Sequence, residues 1–110
     1  MKQYNLKNFI RGWGVGDFEL SIIRTKDFEF YVKHFKKGDH EPLHVHKVTE
    51  EVNVIVYGVF KLEGHLLKKY DILLVEKGEA SECECLEDGA IAGVKIPSVI
   101  GDKYIVENKK

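Results

Sequence analysis

His44, His46 and Glu51 lie close together in the stretch GDHEPLHVHKVTEEVNVIVYG, residues 38–58. Residues two apart on a strand point to one face, so the two imidazoles project together. A carboxylate from the next strand, reached through the Lys47-Val48-Thr49 turn, completes a two-histidine, one-carboxylate set. Zn, Fe, Mn and Ni all accept imidazole nitrogen and carboxylate oxygen. Three protein ligands leave coordination positions open for water or a small molecule. Gly38 and Gly58 bracket the set where tight turns are required.

Glu50 competes with Glu51. It is the inward carboxylate if Val52, Val54 and Val56 face the interior. Glu51 is preferred because it shares a face with the polar Asn53, which suits a cavity better than a dry core. The plainer alternative is a solvated hairpin bearing surface histidines. His-x-His followed by a carboxylate and framed by glycines favours the metal.

The elements that position these residues read as strands. Val, Ile, Phe and Tyr are frequent, and glycine-containing turns interrupt them at short intervals, the pattern of an all-β sandwich or barrel. Strands are expected over 19–24, 27–36, 43–46, 50–57, 59–63, 71–76, 80–86 and 90–96. The turns between them fall at 37–39, Gly58, 63–64, 77–78 and 88–89. Pro42 is placed just before the histidine strand and Pro97 just after the last one, so neither interrupts a ladder. No segment has helical periodicity. Residues 1–18 form a short strand or a helical turn covering an edge, and 107–110 fray. The 50–57 strand is apolar enough on both faces to need a cover on its back, supplied by the N-terminal segment or a second subunit.

The 110 residues suffice for one domain. With 17 basic and 18 acidic side chains there is no electrostatic footprint for nucleic acid or an acidic membrane surface. No apolar run reaches the ~20 residues of a membrane span, and 1–13 lacks the apolar core of a signal peptide. The expected compartment is the cytoplasm. Cys83 and Cys85, two apart on one strand, read as reduced thiols.

The 38–58 stretch resembles the first motif of the cupin superfamily: glycine, His-x-His, glutamate, glycine, with Gly38, His44, His46, Glu51 and Gly58 in register. The second cupin motif is matched in part. Tyr70-Asp71 takes its Gly-Asp place, Glu76 stands for the usual proline, and Gly78 matches. Ser81 falls where the family has a fourth metal ligand, a histidine, and Cys85 where it has asparagine.

The resemblance covers residues 28–97. It implies an all-β, cupin-like double-stranded β-helix, a jelly-roll barrel, as a single domain over 1–110 with 1–18 as a cover. It also implies a homodimer and a divalent transition metal on His44, His46 and Glu51. A small polar or anionic ligand, a sugar derivative or organic acid, would sit above the metal. Whether such a protein is a metal-dependent enzyme (isomerase, epimerase or oxygenase), a binding module or a structural cupin is not chosen by the fold; Tyr57 and Glu50 are candidate proton carriers. Asn53, Tyr57, Ser81, Cys83, Lys33 and Lys95 are the candidate ligand contacts. Lys33 and Lys95 would attract an anion if they point inward, although each taken singly reads as solvent-facing. Cys83 is a possible soft metal ligand, with a small buried core residue as the simpler reading.

Overall fold

Two long strands, β5 (Glu50–Leu62) and β8 (Ala80–Ile96), run antiparallel along their whole lengths and organise everything else. The computed structural model describes residues 1–107, so the expected fraying of 108–110 lies outside the described residues. The remaining strands are β1 (Trp13–Gly16), β2 (Ile23–Arg24), β3 (Glu29–Phe35), β4 (His40–Val45), β6 (His65–Leu67), β7 (Ile72–Val75) and β9 (Tyr104–Ile105).

The register divides the sheet into two layers that share β5 and β8. In one, β3 pairs with the second half of β8 and β7 pairs with the first half of β5. In the other, β4 pairs with the first half of β8, β9 flanks β4, and β6 pairs with the end of β5. The pairing forms one nine-stranded sheet folded over on itself. The double-stranded β-helix expected from sequence is present, but its ladder is not closed into a barrel.

Gly58 and the 88–89 dipeptide were expected to be turns. They are bends inside continuous strands. The β5–β8 register shifts between Ile55 and Phe60. A Cβ on Gly58 would lie 2.5 Å from Gly89 Cα, and one on Gly89 would lie 2.3 Å from the Tyr57 carbonyl oxygen. Gly58 also has φ +90°. The glycines therefore serve a close backbone crossing where both strands pass from one layer to the other. The other turn assignments hold at Gly38, Gly64 and Gly78.

Three further expectations need correction. Only Ile23–Arg24 of 19–24 forms a strand, because Leu20 takes a left-handed conformation at φ 66°. Pro42 lies inside β4, at the ladder irregularity between Glu41 and His44, where a residue without an N–H is tolerated. Strands β6 and β9 were not foreseen. Residues 1–18 combine both expected forms: two 3₁₀ turns (Leu6–Asn8 and Ile10–Gly12), then β1 along the edge of β3.

One end of the interior is an apolar core of Phe35, Ile55, Phe60, Leu62, Leu67, Cys83, Cys85 and Ile91, of which Phe35, Leu62, Cys83 and Ile91 also face the cavity. Phe35 and Phe60 meet edge to face at 5.2 Å between ring centres. The other end is polar and opens into a cavity.

Candidate metal centre

The inward face of β5 changes character along its length. Glu51 and Asn53 are buried polar residues, and Ile55, Phe60 and Leu62 are buried apolar ones. Period-two alternation aims Glu51 inward and leaves Glu50 exposed. On the opposite layer, β4 carries His44, and His46 follows at its end; both are buried. The donor atoms of His44, His46 and Glu51 all lie within 4.8 Å of one another. His46 Nε2 is 3.6 Å from Glu51 Oε1, and the two imidazoles are near perpendicular with ring centres 5.1 Å apart.

Hydrogen bonds decide which ring nitrogens are free. His44 Nδ1 donates to the Pro42 carbonyl at 2.7 Å, and His46 Nδ1 donates to the Asp102 carbonyl. Each bond places the proton on Nδ1 and leaves Nε2 as a lone-pair donor. His46 Nε2 is buried with no hydrogen-bond partner. Such an atom is costly unless something occupies its lone pair. The residues thus fit a divalent cation: two neutral imidazole donors, one carboxylate and an orphaned nitrogen among them. Burial pushes the His44 pKa down, which also favours the neutral donor.

The segment after Pro97 holds this arrangement. Asp102 is buried, and its carboxylate accepts the backbone N–H groups of Lys47, Val48 and Thr49 at 3.0, 3.0 and 2.9 Å. Burial pushes the Asp102 pKa up, but the three donations outweigh it and hold the carboxyl below its usual range. One residue thereby fixes the turn between the histidines and Glu51 with its side chain and the His46 tautomer with its carbonyl. The sequence offered a signal in Gly101-Asp102, a turn pair lying just past the last expected strand.

Around these groups lies a cavity of about 500 Å³. Glu51 Oε2 is 3.6 Å from Lys95 Nζ and 3.5 Å from the Tyr31 hydroxyl, which also hydrogen-bonds Asn53 Oδ1. Burial, then the charge of Glu51, raises the Tyr31 phenol pKa well above its usual value. Tyr31 was not among the sequence candidates, although it shares a face of β3 with Lys33. Trp13 stacks on it at 4.2 Å between ring centres and donates to Glu29.

Of the candidate ligand contacts, Asn53, Ser81, Cys83, Lys33 and Lys95 all line the cavity. The solvent-facing reading of the two lysines is therefore overturned: both sit on inward faces, Lys33 paired with Glu41 and Lys95 with Glu51. Tyr57 is not part of the lining. It is 45% exposed, because the bend at Gly58 breaks the alternation that would have carried it inward. Exposed Tyr57 and Glu50 do not reach the cavity as proton carriers. Cys83 lies outside the metal-suited group found among the described residues, and burial pushes its thiol up to about 12. Ser81 faces His44 across the β4–β8 ladder. Both cysteines are free thiols.

The fold is the cupin fold, as comparison with solved structures shows. A conserved protein of Klebsiella pneumoniae with a double-stranded β-helix domain superposes with a TM-score of 0.73 and 18% identity, over 98% of this chain and 99% of that one. The DMSP lyase DddQ of Ruegeria pomeroyi matches at 0.67 and 18% identity, over 97% and 62% of the two chains. KdgF of a Halomonas species matches at 0.63 and 22% identity, over 68% and 74%. No family model and no curated protein matches the chain. Among the described residues no helix is long and apolar enough to cross a membrane.

Proposed function

We propose that this protein binds a divalent transition metal (Zn, Fe, Mn or Ni) through His44, His46 and Glu51 and holds a small polar or anionic molecule, a sugar derivative or organic acid, in the cavity beside it. The observation that carries this reading is the buried, unpartnered Nε2 of His46, 3.6 Å from Glu51. A divalent ion there would supply Lewis acidity to a carbonyl or hydroxyl oxygen. The chain's own groups do the rest. Asp102 orients His46, Lys95 holds the second Glu51 oxygen, Tyr31 holds Asn53, and the two layers shield the set from bulk water.

The test is metal content of protein prepared without a histidine tag. The expected result is about one transition metal per chain, lost in the His44→Ala/His46→Ala double variant. Protein that stays metal-free after exposure to Zn, Mn, Ni and Fe(II) would leave a structural cupin.

A catalytic role is favoured by one observation, the buried Tyr31 hydroxyl facing the cavity beside Glu51. A phenol kept neutral in that position can turn its hydroxyl from Asn53 to hydrogen-bond a bound substrate, a role that fits a metal-dependent enzyme of the isomerase, epimerase or oxygenase kind. Turnover of a cavity ligand that falls in Tyr31→Phe without loss of metal separates this from simple binding.

We further infer a cytoplasmic homodimer. The outer faces of β7, β5, β8 and β3 bring Leu74, Val52, Val94 and Phe30 into one cross-strand row, with Ile72 and Val54 in the next. Leu74, Ile72 and Phe30 are exposed. The N-terminal segment borders the cavity and the β3 edge, so a second copy is the cover left for this face. Light scattering should give twice the chain mass of 12.7 kDa, falling to one in Leu74→Lys.

A further inference from the structure

Lys33 and Lys95, the lysines that the sequence puts forward for an anion, are each already paired with a carboxylate. Two other cations line the same cavity, Arg11 and Lys103. Among the described residues neither has a carboxylate within 4.0 Å. We propose that Arg11 and Lys103 form the anion clamp of this cavity and that its ligand is a small organic acid whose carboxylate they grip. The inference rests on the metal-and-ligand reading above and names its ligand class.

The backbone fixes where both side chains start, and both residues are exposed at the rim of the cavity. Arg11 has φ 53° and ψ 20°, and the following Gly12 lies so near β3 that a Cβ on it would fall 1.9 Å from the Val32 carbonyl oxygen. The N-terminal turn is thus pressed against β3, with Arg11 at both the β3 edge and the cavity. Lys103 follows Asp102, whose carboxylate is tied to the turn between the histidines and Glu51.

The cations sense one another. Burial, then the charges of Lys103 and Arg11, bring the Lys33 pKa down to about 8, and burial, Lys95 and Arg11 lower that of Lys103. That repulsion is what an anion would relieve.

Charge balance points the same way. The lining holds four cations and four carboxylates, the latter being Glu19, Glu29, Glu41 and Glu51. A divalent metal would leave the cavity doubly positive, which favours an anionic ligand over a neutral sugar. Guanidinium suits a planar carboxylate through paired N–H donors. Phe9, Ile10, Phe18 and Ile100 complete the wall with apolar surface, which suits the carbon body of an organic acid better than free phosphate.

The experiment is calorimetric titration of the Mn-loaded chain with malonate, succinate and glutarate, and with inorganic phosphate and glucose for comparison. Metal uptake is measured separately. At least one dicarboxylate should bind more tightly than phosphate or glucose. Arg11→Gln and Lys103→Gln should each weaken it on the order of tenfold or more, while Mn uptake is retained. Dicarboxylate affinity unchanged in both variants overturns the clamp, as does binding of glucose or phosphate in preference to every dicarboxylate. Normal metal uptake with no dicarboxylate bound refutes the clamp and leaves the metal centre standing. A chain that takes up no metal refutes both.

Discussion

The two ends of the β5–β8 pair share strands, turns and alternation, yet they bury opposite chemistry. Beyond Gly58 the inward side chains are Phe60 and Leu62, packed with Phe35, Leu67 and the two cysteines. Before it they are Glu51 and Asn53, grouped with His44, His46, Tyr31 and Lys95 in the wall of a cavity. The first end gains by excluding water from apolar area. The second buries polar groups that each need a partner, and nearly all have one: Asn53 has Tyr31, Glu51 has Lys95, and both Nδ1 atoms have carbonyls. His46 Nε2 is the exception within the metal set. A fold can thus hold a site at one end because the other supplies its stability.

If the division is real, variants at the two ends should separate stability from binding. Phe60 is 0% exposed, and Phe60→Ala should cost about 3–5 kcal/mol of stability in urea unfolding. Whatever fraction stays folded should bind metal as before. His46→Ala should do the reverse. It should remove metal binding while costing the metal-free chain less than Phe60→Ala, about 1–3 kcal/mol, because the change deletes the orphaned Nε2 but also strips the Asp102 carbonyl of its donor.

Asp102→Ala acts at the polar end on both stability and metal binding and should fall between. It frees three backbone N–H groups and loosens the segment that orients His46. Metal affinity should drop about 10- to 100-fold, and stability by about 1–3 kcal/mol. Because the folded Asp102 carboxyl titrates below its unfolded value, its contribution is fully present above the unfolded pKa of about 3.9. It is lost as pH falls through the folded value. Wild type should therefore lose stability more steeply on acidification than Asp102→Ala.

The smallest effect concerns Lys33, whose folded pKa is about 8. Its charge is present below that pH and lost above it. Binding of an organic acid should weaken roughly two- to fivefold as pH rises through about 8, and Lys33→Met should flatten that dependence.

How much of this the sequence carried follows the same line. The inward alternation of Glu51, Asn53 and Ile55 was legible because strand parity is local. Tyr57 was misplaced because parity fails at a bend, and Gly58 with Gly89 looks like turn chemistry until the two strands are seen to cross there. Lys33 and Lys95 were read one at a time as surface lysines, since their partners, Glu41 and Glu51, lie on other strands. Tyr31, Arg11, Asp102 and Lys103 come from segments outside the motif, brought in by β3–β8 pairing, the β1 edge and the short β9 strand. No local spacing connects them to the histidines.

The most direct measurement is an anomalous difference map from crystals of the Zn- or Mn-loaded chain, collected at the absorption edge of the metal. A single peak should appear between the Nε2 atoms of His44 and His46 and the Glu51 carboxylate, at about 2.0–2.2 Å from each. A map with no peak there, or a peak held by exposed residues such as His40 and Glu82, would contradict a metal centre at this end of the fold.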